Sequence, residues 1–142
     1  MTMPRRRTKA RELALQFLYQ LDVRGADALN ELDAFLDRGG TPDEVREFAN
    51  ELVRGCHEHR PEIDAHIKRV AEHWDLSRMA VIDRNVLRIA IFELAHRPDV
   101  PPKVAINEAI ELGKKYSTKN SGAFINGILD RIRIQLAAGR GE

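Results

Sequence analysis

Cysteine is nearly missing. Cys56 stands alone, so no disulfide can form within the chain, and a reducing compartment suits it. Aromatic residues are sparse, at 6% with a single Trp and two Tyr, so any stacking chemistry must rest on a few identifiable rings. No apolar run approaches the ~20 residues that a membrane-spanning helix needs. The apolar stretch after Arg5, Arg6 and Arg7 is broken by Glu12, Gln16 and Gln20, unlike a signal-peptide core. Glycine-rich phosphate motifs are missing too: Gly113-Lys114-Lys115 lacks the upstream glycine and the following Ser/Thr of a phosphate loop, and no GxGxxG occurs. These absences point to a cytoplasmic chain with no membrane association, and 142 residues leave no room for a separate catalytic domain.

A net charge of +1 conceals segregation. Residues 1–20 hold five bases (Arg5, Arg6, Arg7, Lys9, Arg11) against Glu12, whereas residues 21–51 hold three bases against nine acids. Residues 52–102 balance eight against eight, and residues 103–142 carry seven bases against four acids. Two basic ends beside one acidic flank allow a polyanion on one surface and a basic protein partner on another.

Helical periodicity dominates and no stretch alternates like a strand. Ala10, Leu13, Ala14, Phe17, Leu18 and Leu21 form the stripe of a first helix ending before Gly25. Asp27 or Asn30 opens a second, holding Leu29, Leu32, Phe35 and Leu36 and closed by Gly39-Gly40. Thr41-Pro42-Asp43-Glu44 reads as a start signal, with Thr41 as N-cap, Pro42 at the first helical position and acids against the dipole, for a helix burying Val45, Phe48, Ala49, Leu52 and Val53. Pro61 restarts the chain into a stripe of Ile63, Ile67, Val70, Ala71 and Trp74. From about Ser77, MAVIDRNVLRIAIFELAHR is apolar on more than one face, as a central helix should be. Pro98, Pro101 and Pro102 launch a sixth helix packing through Val104, Ala105, Ala109, Ile110 and Leu112, with Glu111 and Lys115 as a same-face pair. The last uses Ile125, Ile128, Leu129, Ile132 and Leu136 before a polar tail. The prediction is all-α: about seven helices in one compact bundle, with seams at Gly39-Gly40 or Asp75-Leu76.

Enzymatic chemistry finds little support. His57 and His59 face different sides of a helix, and Cys56 with His59 has no second pair behind it, so neither metal nor cofactor is expected. Glu108 and Glu111 could in principle serve as an acid/base pair, but surface helical carboxylates usually do no more than solvate. RNA binding fits the residue types better, because phosphates need Arg/Lys density and unstacked bases need planar side chains. Arg5, Arg6, Arg7, Lys9 and Arg11 can neutralise about five phosphates, for a single-strand salt slope of about −3 to −4; a solvated tail is the plain alternative. Tyr19, two turns beyond Arg11, stacks a base or is a half-buried aromatic with a wet hydroxyl. Phe124 stacks a base or belongs to the core, and lies toward the edge of the last helix's stripe.

Two segments, RRRTKARELALQFLYQ from Arg5 to Gln20 and VPPKVAINEAIELGKKYSTKNSGAFINGILDRI from Val100 to Ile132, resemble the NusB family of bacterial antitermination factors. The resemblance implies one domain over residues 1–142, in two helical subdomains of about 1–76 and 77–142. It implies binding of single-stranded boxA-type RNA from ribosomal RNA leaders, jointly with the ribosomal protein NusE, in an antitermination complex on RNA polymerase. Arg7, Arg11, Tyr19, Arg88 and Phe124 match the family's RNA-binding face, and Lys119 stands in the adjoining loop. Asp83, Arg84, Asn120 and Phe124 match its NusE-binding positions. Where many relatives carry an acid before the residue matching Ser121, this chain has Asn120, which removes a negative charge near RNA. A homodimer stays open, since periodicity does not separate a dimer face from core. The alternatives are a helical accessory domain like those preceding ribosomal RNA cytosine methyltransferases, with the sequence ending before any βαβ unit, and a protein-only helical adaptor.

Overall fold

The computed structural model describes residues 3–71 and 76–139, with side chains from residue 5 onward. Trp74, Asp75 of the expected seam, and the last three residues of the polar tail lie outside the described residues. Among the described residues the fold is all helical, with seven α-helices: α1 (Met3–Arg24), α2 (Leu32–Leu36), α3 (Asp43–Glu58), α4 (Arg60–Val70), α5 (Val81–His96), α6 (Pro102–Tyr116) and α7 (Ser121–Gly139).

α5 is the axis. Every residue from Asn85 to Leu94 is buried, because α1, α3, α4, α6 and α7 all pack against this one helix. A helix enclosed on all sides must be apolar all round or pair each polar group it carries. Three of those ten residues, Asn85, Arg88 and Glu93, are polar, and each is partnered, as described below. One continuous apolar cluster runs from Ala10 in α1 to Ile132 in α7. Gly55 permits the close approach of α3 to α5: a Cβ there would stand 2.2 Å from the Phe92 ring.

Local structure departs from the sequence reading in four places. The expected second helix is a 3-10 segment, Ala26–Glu31, followed by the five residues of α2. The stretch is too short to sustain a cooperative α-helix in isolation, and it takes whatever geometry seats Ala28, Leu32 and Leu36 in the core. Pro42 is the N-cap of α3 rather than its first residue. Thr41 turns away, its hydroxyl donating to the Arg38 carbonyl at 2.8 Å, so Asp43 and Glu44 supply the favourable charge of the first turn instead. α5 begins at Val81, after a 3-10 turn at Leu76–Arg78. Val104 is 43% exposed, because α6 needs only the stripe of Ala105, Ile106, Ala109 and Leu112 to meet α5 and α7.

Candidate nucleic-acid and partner interface

The basic N-terminus divides into two populations. Arg5 and Lys9 are exposed, and neither pairs with a carboxylate among the described residues. Arg6 reaches Glu44 at 3.3 Å and Arg7 reaches Asp99 at 3.2 Å, both half-exposed pairs. The Arg7 guanidinium also lies over the Phe48 ring, 4.5 Å from its centroid, and Arg97 occupies the same ring at 5.0 Å. With Arg11 at 5.4 Å, Phe48 gathers three guanidinium groups around its ring. The hydrogen bond from Arg97 holds Asp99 well below the usual carboxylate range, against slight burial and with help from Arg7.

Arg11 differs from the surface residue expected. It is 2% exposed and grips Glu93 of α5 through two hydrogen bonds, Nε at 2.9 Å and Nη2 at 2.7 Å. Its Nη1 donates to Glu108 of α6 at 3.0 Å. Burial opposes the charge, but the hydrogen bond and charge of Glu93, followed by Glu108, raise the Arg11 pKa above its ordinary value. The fork-to-fork geometry is the form in which a buried pair best recovers its desolvation cost.

Arg88 repeats the pattern. It is 4% exposed, donates to both oxygens of Asp64 at 2.8 and 3.1 Å, and reaches Asp22 at 3.0 Å. Arg84, expected at a protein partner, turns the same way: its Nε donates to Asp22 at 2.7 Å and its Nη1 to the carbonyls of Leu76 and Ser77 at 3.4 Å. Asn85 donates to Asp22 at 3.0 Å and to the Val81 carbonyl at 2.9 Å. Burial works against a charge on Asp22, yet hydrogen bonds from Arg84 and Asn85 and the charges of Arg88 and Arg84 outweigh it and hold the carboxyl at about 2. Arg11, Arg84 and Arg88 are thus already committed to carboxylates of the fold.

A second group of side chains lines a cleft. Asp83 of α5 and Asn120 and Phe124 at the start of α7 line one cleft of about 260 Å³ with Arg78, Met79, Ala80, Thr118 and Ser121. Phe124 is half-buried against the core, and Lys119 and Asn120 are exposed. The Asp83 Oδ1 atom is buried without a hydrogen-bond partner, an acceptor whose unmet cost invites a donor from outside.

Sequence reasoning missed the side chains that tie these regions together. Thr8 and Arg11 both meet Glu108, and Lys115 pairs with Glu12 at 2.6 Å while its ammonium sits 5.3 Å from the Tyr116 ring. Lys115 was expected to pair with Glu111; instead Lys114 approaches Glu111 at 3.9 Å. The signal available was the i, i+4 placement of Thr8 and Glu12, with the exposed Tyr19, 44% accessible, two turns further along the same side of α1.

Comparison with known proteins completes the picture. The sequence pattern of the NusB family matches residues 8–133. The chain is 52% identical over 142 residues to transcription antitermination protein NusB of Anaeromyxobacter dehalogenans (strain 2CP-1), covering 99% of each. The structure of T. maritima NusB superposes with a TM-score of 0.84 at 42% identity, covering 91% of both chains. A structure of antitermination factors NusB and NusE in complex with dsRNA superposes with a TM-score of 0.82 at 29% identity, covering 92% of this chain and 98% of that one. Similarity this even along both partners does not favour the methyltransferase-domain alternative, and places the chain among transcription factors rather than enzymes. From residue 8 to residue 133, and across nearly the whole of its relatives, this chain belongs to the NusB family of transcription antitermination proteins.

Proposed function

We propose that this chain is an RNA-binding antitermination factor that holds single-stranded boxA-type RNA of ribosomal RNA leaders together with NusE, and that the assembly acts on RNA polymerase in the cytoplasm. Arg5, Lys9, Tyr19 and Lys119 contact RNA in this reading, with Arg6 and Arg7 exchanging their exposed carboxylates for phosphates. Asp83, Asn120 and Phe124 receive NusE. Arg11, Arg84 and Arg88 work from within, fixing α1 and α4 against α5 so that the contacting residues are presented together. The two helical subdomains, about 1–76 and 77–142, are the bodies that this ion-pair work joins.

The observation that carries the reading is the cleft where Asp83 meets Asn120 and Phe124 from a different helix, with a buried carboxylate oxygen lacking a partner. An apolar ring beside an unsatisfied acceptor suits a protein partner bringing one donor and an apolar contact. Scaffolding is then a matter of linkage: NusE must strengthen RNA binding by the same factor by which RNA strengthens NusE binding.

The test is a titration of a boxA-like RNA, a scrambled RNA and a DNA duplex at two salt concentrations, with and without NusE. The boxA-like RNA is expected to bind tightest, and both affinities to rise equally in the ternary complex. Asp83→Ala is expected to weaken NusE at least about tenfold, or ~1.4 kcal/mol, while RNA binding in the absence of NusE is unchanged. Equal binding of all three nucleic acids would refute the RNA reading. Sedimentation of the free chain over a concentration series reports whether it also forms a homodimer.

A further inference from the structure

Three helix ends meet at the C-terminal end of α5, opposite the end that carries Asp83. His59 caps the C-terminus of α3, Glu62 lies in the first turn of α4, and His96 is the last residue of α5. The His96 Nε2 atom stands 2.8 Å from Glu62 Oε2, and the His59 and His96 rings stack with centroids 4.0 Å apart. One donor atom from each of the three residues lies within 4.8 Å of the other two. None of the three is buried beyond reach: His59 and His96 are half-buried and Glu62 is exposed. The buried Phe92 ring backs both imidazoles, at 6.2 Å from His59 and 5.5 Å from His96.

We propose that His59, Glu62 and His96 form a site for one divalent transition-metal ion of the Zn²⁺ type. Two imidazole nitrogens and one carboxylate oxygen are a donor set that Zn²⁺ accepts, with water in the fourth position; hard cations such as Mg²⁺ prefer oxygen alone. The C-termini of α3 and α5 present the negative ends of two helix dipoles there, against the single positive end of α4, whose first turn carries the Glu62 carboxylate. Cys56, three residues before His59, is buried and does not belong to the donor group. The proposal runs against the expectation of no metal. Histidines read along the sequence as unpaired acquire a partner 37 positions away only through the packing of α3 on α5.

The consequence is a clip. A bound ion joins the α3–α4 junction to the end of α5, next to Arg97, whose side chain stacks on Phe48 and holds Asp99 beside Arg7. Metal occupancy therefore stiffens the edge from which the N-terminal arginines project.

The experiment uses the full chain stripped with EDTA and titrated with ZnCl₂ by calorimetry, followed by thermal unfolding at rising free Zn²⁺. Saturable binding of one ion per chain is expected, with a Tm that climbs with the logarithm of free Zn²⁺. His59→Gln and His96→Gln are each expected to weaken binding at least about tenfold, since each removes a direct ligand; His57→Gln, outside the cluster, leaves it unchanged. Glu62→Gln alters an exposed side chain, so it tests the site even if a histidine variant fails to fold, and is expected to bind more weakly as well. The proposal is overturned if no saturable binding occurs, if Glu62→Gln and the histidine variants bind like the parent, or if His57→Gln loses the ion equally.

Discussion

Arg11 and Lys9 look alike in the sequence, two positions apart in one basic run, and the fold uses them oppositely. Arg11 falls beside Ala14 and Leu18 on the inward stripe of α1, where a charge can stay only if a carboxylate comes to meet it. That carboxylate is Glu93, the acid embedded in IAIFELA. Both halves of the pair were legible as misfits, a base on an apolar stripe and an acid in an apolar run, but what matched them was tertiary. Arg11→Ala strands Glu93 in the core and is expected to cost about 3–5 kcal/mol of stability, whereas Lys9→Ala changes stability by less than ~0.5 kcal/mol. Urea denaturation of the two variants measures the contrast. A stable Arg11→Ala chain would return Arg11 to the surface.

The connection from α6 to α7 shows how an element can be read for composition and misread for mechanics. Ser117 to Asn120 reads as a basic, polar linker, which accounts for Lys119 and Asn120 being exposed. Its geometry comes instead from Thr118 and Ser121: the Thr118 amide donates to Ser121 Oγ at 3.3 Å, and the Ser121 amide returns to the Thr118 carbonyl at 3.0 Å. This reciprocal closure is a tight turn pinned by a buried hydroxyl, and it sets where Phe124 enters the cleft one turn later. The signature T-x-x-S is short and common, so only the buried position of Ser121 gives it weight. Ser121→Ala is expected to cost about 1 kcal/mol by loss of its hydrogen bond to the Thr118 amide and to weaken NusE binding through the displaced ring. Asn120→Asp has the other kind of effect. It leaves the turn intact and adds a negative charge near RNA, so the native chain is expected to bind RNA more tightly than the variant at low salt, the gap closing as salt rises. Equal affinities at low salt would count against RNA passing this loop.

At the scale of the molecule, the all-α class and the central position of α5 were legible because apolar periodicity is a local property that burial preserves. Which face of the bundle would carry free charge was not legible, since that depends on how carboxylates from α4, α5 and α6 approach α1 and α5. Acid stability follows from the same network. Asp22 titrates at about 2 in the fold, below its ordinary value of about 3.9, so the unfolded chain binds the proton more readily between those values. Its contribution is complete above the ordinary value and is lost as pH falls toward about 2. A thermal melt series from neutral to acidic pH is expected to show Tm declining through that window. Asp22→Asn should be less stable at neutral pH, where Arg84 and Arg88 lose a charged partner, and should show a shallower acid decline.

Charge counting must be redone on the folded molecule before it says anything about RNA. Five N-terminal bases imply a salt slope of about −3 to −4 for a single strand, but only exposed cations displace counterions. Arg11 is withdrawn into the core, Arg6 and Arg7 begin in half-exposed pairs with Glu44 and Asp99, and Arg5, Lys9 and Lys119 pair with no carboxylate among the described residues. Exposed pairs hold by no more than about 1 kcal/mol, so phosphate can replace either of those carboxylates at little cost. Three to five effective contacts give an expected slope of about −2 to −3.5. Lys9→Ala and Lys119→Ala should each flatten it by about 0.7, and should do so without changing stability. A slope steeper than about −4, or one that ignores both lysines, would mean that RNA follows a different face of the bundle from the one that α1 and the α6–α7 connection present.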